Sequence, residues 1–243
     1  RRQHVGMAVR PPAAETLRFA DRAVYLDAAD AVVLADLHVG RGDASRVAAP
    51  IDAGESIRQR VRTLLDRFAP ATIVFAGDLL HSFDRLPRTA ADAIEGLWAD
   101  CADADVDALA VVGNHDSRLA DCWPGSVADA VTLDDGTVVC HGHAPPEERG
   151  HRYVIGHAHP AITIEGVKRP CYLFGKDAYR GGELLVLPAF TTLAGGVDIS
   201  DRRAADLPSP LVSTLAPLQP VVWDDEDDDT LWFPPLQQLQ RLL

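Results

Sequence analysis

Five short clusters of polar residues could do chemistry together. They are Asp36 with His38, Asp78 after Gly77, Asn114-His115-Asp116 after Gly113, His141 with His143, and His157 with His159. Carboxylate, amide oxygen and imidazole are ligand types for borderline divalent ions such as Mn, Fe, Zn, Co or Ni. An all-oxygen set would point to Mg or Ca. Even with His115 and Asp116 set aside, five histidines, two aspartates and an asparagine exceed what one four-coordinate ion uses. Two ions sharing a bridging carboxylate, about 3.5 Å apart, fit the inventory better. Such a pair activates water near neutral pH and clamps a phosphoryl oxygen. Singly, the clusters are weak: Asp-x-His and Gly-Asp are ordinary turn sequences, and a lone histidine beside an apolar run is more often structural. Gly113–Asp116 (GNHD) and Gly156–His159 (GHAH) are more specific.

The elements that must position them are legible as apolar patterns. Ala31–Ala35, Thr72–Ala76 and Ala108–Val112 read as buried strands. Ile57, Val61, Leu64, Leu65 and Phe68 line one face of a helix, with Asp52 and Glu55 resembling a capping box and Pro70 ending it. Ile94, Leu97, Trp98 and Cys101 mark a second helix. The order β-α-β-α-β implies right-handed crossovers and a mostly parallel sheet. The polar clusters then fall at the carboxyl ends of strands, where open α/β sheets bind ligands. The second half reads as strands with few helices. Val127–Leu133 and Thr137–Cys140 form a hairpin about Asp135-Gly136, and Tyr153–Gly156, Ala161–Glu165, Lys168–Phe174 and Leu184–Leu187 follow. This predicts a second, antiparallel or mixed sheet packed on the first. His141 and His143, two apart on a strand, are expected to point the same way, which leaves the ligand choice between them open. Cys140 is expected to face the core. Asp224–Asp229 (DDEDDD) reads as a solvated loop between strands Val221–Trp223 and Thr230–Phe233, ahead of a short terminal helix at Leu236–Leu243.

Composition bounds the rest. The 243 residues are 47% hydrophobic and 24% charged, which excludes global disorder. No apolar run approaches the roughly 18 residues of a membrane span, so no membrane partner is expected. Arg1–Val5 has no apolar run behind it, so no signal peptide is expected, and four dispersed cysteines suit a reducing cytoplasm. A net charge of −13 repels nucleic acid unless cations offset it locally. Lysine occurs only at positions 168 and 176. An Asp-rich, Lys-poor surface suits a high-salt cytoplasm; a GC-rich genome gives the same composition, and both readings stand.

The series Asp36-Leu37-His38, Gly77-Asp78, Gly113–Asp116, His141-Gly142-His143 and Gly156–His159 resembles the calcineurin-like metallophosphoesterase superfamily. Ala35–Gly40 (ADLHVG), His157–Pro160 (HAHP) and Leu187–Gly196 (LPAFTTLAGG) resemble its small archaeal SbcD-related members and the bacterial ligase-associated phosphodiesterases. The resemblance implies a four-layer α-β-β-α sandwich with two mixed central sheets. It implies one domain over 1–243, with 200–243 a strand-loop-strand-helix extension. Asp36, His38 and His159 would hold one ion, Asn114, His141 and His157 the other, and Asp78 would bridge; the family pattern favours His141 over His143. His115 would face the substrate as general acid, with Asp116 orienting it. His81, in Gly77–His81, resembles a histidine that faces the phosphodiester in SbcD-type nucleases. Arg41 and Asn114 could meet a substrate phosphate. The expected activity is hydrolysis of phosphodiesters with two divalent ions, manganese first, on substrates that include nucleic-acid ends, with or without a DNA-processing partner protein. A phosphomonoesterase or nucleotide hydrolase is the runner-up. A non-catalytic scaffold fits poorly, because every ligand position and His115 are filled.

Overall fold

The computed structural model describes residues 8–40, 53–81, 86–200 and 207–239. Strands β1 (Leu17–Ala20), β2 (Ala23–Leu26) and β3 (Ala31–Leu34) pair antiparallel. Helix α1 (Ala53–Phe68) leads to β4 (Thr72–Ala76), and helix α2 (Arg88–Asp103) leads to β5 (Asp107–Val111). With β6 (Val127–Ala128) these strands form a six-stranded sheet in sequence order, parallel from β3 onward. The β-α-β-α-β reading of this half is borne out. Helix α1 ends where Ala69 turns to φ 43 and its N–H donates to the Leu65 carbonyl, directly before Pro70. Asp52, the expected cap at its start, lies outside the described residues.

A second sheet takes β7 (Ala130–Thr132), β8 (Thr137–Cys140) and β9 (Arg152–Ile155). A small sheet follows from β10 (Pro160–Ile164) and β11 (Val167–Pro170). The chain returns to the second sheet as β12 (Tyr172–Tyr179) and β13 (Gly182–Val186), then adds β14 (Val197–Asp198) to the small one. Strands β15 (Gln219–Asp224) and β16 (Asp229–Trp232) form a hairpin, and α3 (Leu236–Leu239) ends the described chain. The order of the large sheet is β16-β15-β12-β13-β9-β8-β7, with β8, β9 and β13 parallel and the other pairings antiparallel. It is therefore mixed.

Alternation along the strands builds three apolar interfaces. Val32, Leu34, Ile73 and Phe75 face α1 and α2, where Val61, Leu64, Ile94 and Leu97 meet them. Val33, Val74 and Val111 turn the other way, onto Val139, Val154, Phe174 and Leu185 of the second sheet. Val138, Cys140, Tyr153 and Val186 face outward, under Ile162, Leu211, Leu215 and Leu236. The result is helices, two mixed sheets and an outer layer made by the small sheet, the 207–218 connection and α3. Cys140 is core, as expected.

Two strand readings need correction. Val127–Leu133 is not one strand: Val127–Ala128 extends the first sheet beside β5, and Ala130–Thr132 opens the second. Lys168–Phe174 likewise divides at Cys171, which sits between the small sheet and β12. At the second step the exposed strand β11 gives way to the buried start of β12, and at the first the half-buried β6 passes to β7 through the exposed Asp129; in neither place does the residue pattern mark where the hydrogen-bonding partner strand changes. The β1–β2 hairpin carries no Gly or Asn turn signal. Its two-residue turn uses Asp21 (φ 41) and Arg22 (φ 67), both left-handed.

Candidate metal centre

The polar clusters meet at the strand ends between the two sheets. Asp36, His38, Asp78, His157 and His159 all have φ between 44° and 64°, a region that non-glycine residues seldom occupy. Five such residues at one place mark a constrained site. Backbone bonds lace the loops together: the Asp36 N–H donates to the Gly77 carbonyl (3.0 Å) and the His38 N–H to the Asp78 carbonyl (2.9 Å). Each buried carboxylate is aimed by a neighbouring loop. The His157 N–H donates to Asp36 Oδ2 and the His115 N–H to Asp78 Oδ1, both at 2.9 Å.

Two of the motif glycines are explained by close approach. A Cβ on Gly77, itself at φ +86, would lie 2.4 Å from Nδ1 of His141. A Cβ on Gly113 would lie 2.2 Å from Asp78 Oδ1. Each glycine thus makes room for a chemical side chain from a different loop, a role the sequence reading had not given them.

Ligand-type atoms gather in two groups, Asp36-His38-His159 and Asp78-His141-His157, each within 4.8 Å. In the first, Asp36 Oδ1, both ring nitrogens of His38 and His159 Nε2 are buried with no hydrogen-bond partner among the described residues. Asp36 Oδ1 and His159 Nε2 are only 3.0 Å apart, yet not aligned to bond. Buried polar atoms are rarely left so, and lone pairs converging without protons between them call for a cation. Ligand atoms about 2.1 Å from an ion stand roughly 3 Å from one another, as Asp36 Oδ1 and His159 Nε2 do.

In the second group His141 fixes its own tautomer. Its Nδ1 donates to the Ala76 carbonyl (3.0 Å), which directs Nε2 at Asn114 Oδ1 and His157 Nδ1, both 3.2 Å away. Asp78 lies between the groups, Oδ1 3.5 Å from His141 Nε2 and Oδ2 3.8 Å from His38 Nε2. The electrostatics agree. Burial holds the His38 pKa down to about 4, with Asp36 and Asp78 opposing, so its ring is neutral. Burial disfavours a charge on His141 too, but the Asp78 hydrogen bond and both carboxylates prevail and raise it to about 9. Asp78 is lowered to about 2 against its own burial, chiefly by His141. A proton is retained where the field favours a cation.

Around His38 stand three further imidazoles, those of His81, His115 and His159, each with ring centroids 5.3 Å from its own. The His81 and His115 rings stack at 5.6 Å and 18°. His115 Nε2 is 3.8 Å from Asp78 Oδ2, and its side chain is partly open to solvent. The expectation that strand alternation aligns His141 with His143 does not hold: β8 stops at Cys140, before either residue. His141 is buried in the site and His143 is exposed, although the two rings are 5.3 Å apart. Asp116 also differs from expectation. Its buried carboxylate accepts N–H bonds from Leu79 (3.3 Å), Leu80 (2.9 Å) and Gly113 (2.9 Å). Both oxygens brace the loop after β4 against the loop after β5, a positioning task rather than a partnership with the His115 ring. Arg41 lies outside the described residues.

Among the described residues no helix is long and apolar enough to cross a membrane. No curated protein matches the sequence significantly. Among solved structures, the nuclease MPE of Pseudomonas putida is similar, with 24% identity over 83% of this chain and 88% of that one and a TM-score of 0.59, a likeness of fold. YfcE, a phosphoesterase from E. coli, is 16% identical over 84% of this chain and 98% of that one, with a TM-score of 0.43. The calcineurin-like phosphoesterase family model matches residues 30–198, more than half of the chain and the whole run from Asp36 to His159, so the chain belongs to that family and is a metal-dependent phosphoesterase.

Proposed function

We propose that this protein is a phosphodiesterase that works with two divalent ions, manganese first among those its donors suit, and that nucleic-acid ends are among its substrates. In this reading Asp36, His38 and His159 would hold one ion, Asn114, His141 and His157 the other, and Asp78 would serve both. When bound, such ions supply Lewis acidity and a water of lowered pKa. The chain's own residues do the rest. His141, pinned at Nδ1 by the Ala76 carbonyl, keeps Nε2 directed inward, where its proton would give way to a bound ion. Asp116 holds the two loops that carry Asp78 and His115 in register. His115 gives a proton to the departing ester oxygen. His81 orients the substituent that does not leave. Residues 1–243 are taken as one catalytic domain with 200–243 an extension of it, a view supported by the pairing of β15 with β12. Action in a reducing cytoplasm is consistent with four buried, unbridged cysteines.

The observation that carries the diesterase reading is the stacked pair of His81 and His115 beside the two ligand groups. A diester brings two substituents and one charge fewer than a monoester. A second imidazole outside the ligand groups serves to orient the extra substituent, since a misplaced scissile bond forfeits in-line attack. The test is steady-state hydrolysis of bis(para-nitrophenyl) phosphate against para-nitrophenyl phosphate by the manganese-loaded protein. Preference for the diester is expected; outright preference for the monoester overturns the reading in favour of a phosphomonoesterase.

A further inference from the structure

The segment Leu187–Gly196 has no role in the chemistry above, yet it walls a cleft that opens beside His159. The cleft has a volume of about 200 Å³ and is bounded by His159, Pro170, Ala189 and Gly196, with Arg22 and Lys168 also in its lining. No carboxylate lines it among the described residues, although the protein carries a net charge of −13. Both cations are held in place. Arg22, at φ 67 in the β1–β2 turn, donates through Nη1 to the carbonyls of Ala189 (3.1 Å) and Thr191 (2.6 Å). Lys168, one of only two lysines, donates to the Gly196 carbonyl at 2.7 Å. Asp198, the acid whose charge Lys168 feels, is itself engaged by the Thr163 hydroxyl and the Ser200 N–H. The other walls are small and flat.

We propose that this cleft receives one substituent of the phosphodiester and selects substituents that carry a further phosphate. This role for the cleft rests on the diesterase reading and extends it. His159 belongs both to the Asp36-His38-His159 group and to the cleft wall. A phosphodiester at that group therefore has one arm within reach of the cleft. Small apolar walls admit a sugar or a base, and two tethered cations in a strongly acidic protein supply the local positive field that a second phosphate needs. A polynucleotide strand offers that phosphate, and so does a phosphorylated small-molecule diester.

The experiment uses two chromogenic diesters with the same leaving group: the para-nitrophenyl ester of thymidine 5′-phosphate, with and without a free 3′-phosphate. The wild-type protein should favour the phosphorylated substrate by about fivefold in kcat/KM at low salt, chiefly through KM, as expected for one or two exposed ion pairs. The preference should shrink as salt rises. In Lys168→Gln the ratio should fall to within about twofold of one, with metal content unchanged. Substrate preference and its salt dependence are readouts that a merely structural lysine would not move. A wild-type ratio near one, or a ratio that Lys168→Gln leaves intact, overturns the proposal while the diesterase reading stands. If the wild type cleaves neither diester but does cleave para-nitrophenyl phosphate, the diesterase reading itself has failed, and this proposal with it. A single-stranded oligothymidylate cleaved better than the small bisphosphate identifies the strand as the source; the reverse identifies the small diester.

Discussion

Replacing Gly113 with alanine tests the centre without touching any residue assigned to a metal. Gly113 is not in the left-handed region, so its backbone accepts a side chain, and the effect is one of space alone. The new Cβ would lie 2.2 Å from Asp78 Oδ1 and 2.3 Å from the Asp78 backbone nitrogen, where real Cβ atoms essentially never come under 3.0 Å. Asp78 must therefore retreat by roughly 0.8 Å, and because its backbone is also struck, a rotamer change does not relieve the clash. The His115 N–H bond to Asp78 Oδ1 (2.9 Å) is lost or lengthened, and the approach of that oxygen to His141 Nε2 (3.5 Å) changes with it. Overpacking of this kind costs about 1–3 kcal/mol of stability. A displacement near 1 Å at reacting groups costs about 10²-fold in rate. Gly113→Ala should thus fold, bind fewer than two ions per chain, and lose about 10²-fold in kcat/KM on a para-nitrophenyl diester. Gly181→Ala is the control: at φ +78 in the β12–β13 turn, with nothing within 4 Å of its Cβ, it should cost on the order of 1 kcal/mol in strain yet retain both ions. Elemental analysis with steady-state kinetics decides. Full metal occupancy and near-native turnover in Gly113→Ala would refute the bridging place of Asp78.

His115→Ala should keep both ions while turnover falls about 10²–10⁴-fold, the range of general acid catalysis; loss of an ion by elemental analysis would make His115 a ligand instead. His81→Ala should leave metal content intact and reduce diester cleavage far more than monoester cleavage, measured on the matched para-nitrophenyl pair; equal losses would assign it to the shared chemistry. Asp116→Asn replaces an acceptor of three backbone N–H groups with a half-donor and should lower stability by about 2 kcal/mol or more in chemical denaturation, a loss His115→Ala should not share. If the Asp-rich surface is a high-salt adaptation, Tm should climb steadily toward molar KCl as repulsion is screened; a flat response above physiological salt favours genome composition as its cause.

The sequence by itself determined the parts of this protein that depend on local pattern. Ala31–Leu34, Thr72–Ala76 and Asp107–Val111 are strands because short β-branched runs are bounded by turns, and α1 is a helix because Ile57, Val61, Leu64 and Leu65 share a face. The clusters at Asp36, Asp78, Asn114, His141 and His157 were visible because strand ends in an α/β sheet share one edge. What only the tertiary structure decided is everything fixed between distant segments. Strand alternation could not distinguish His141 from His143, because β8 ends at Cys140; the fold buries His141 against the Ala76 carbonyl and leaves His143 exposed. Asp116 looked like a partner for the adjacent His115, but three N–H groups, two of them 36 and 37 residues away, claim its carboxylate. The turn at Asp21-Arg22 has no sequence signature, since its left-handed conformation is imposed by pairing of β1 with β2 and of Arg22 with the 189–191 loop. A periodic pattern reports which side of a segment is buried; it does not report what buries it, and the site was completed by contacts of the second kind.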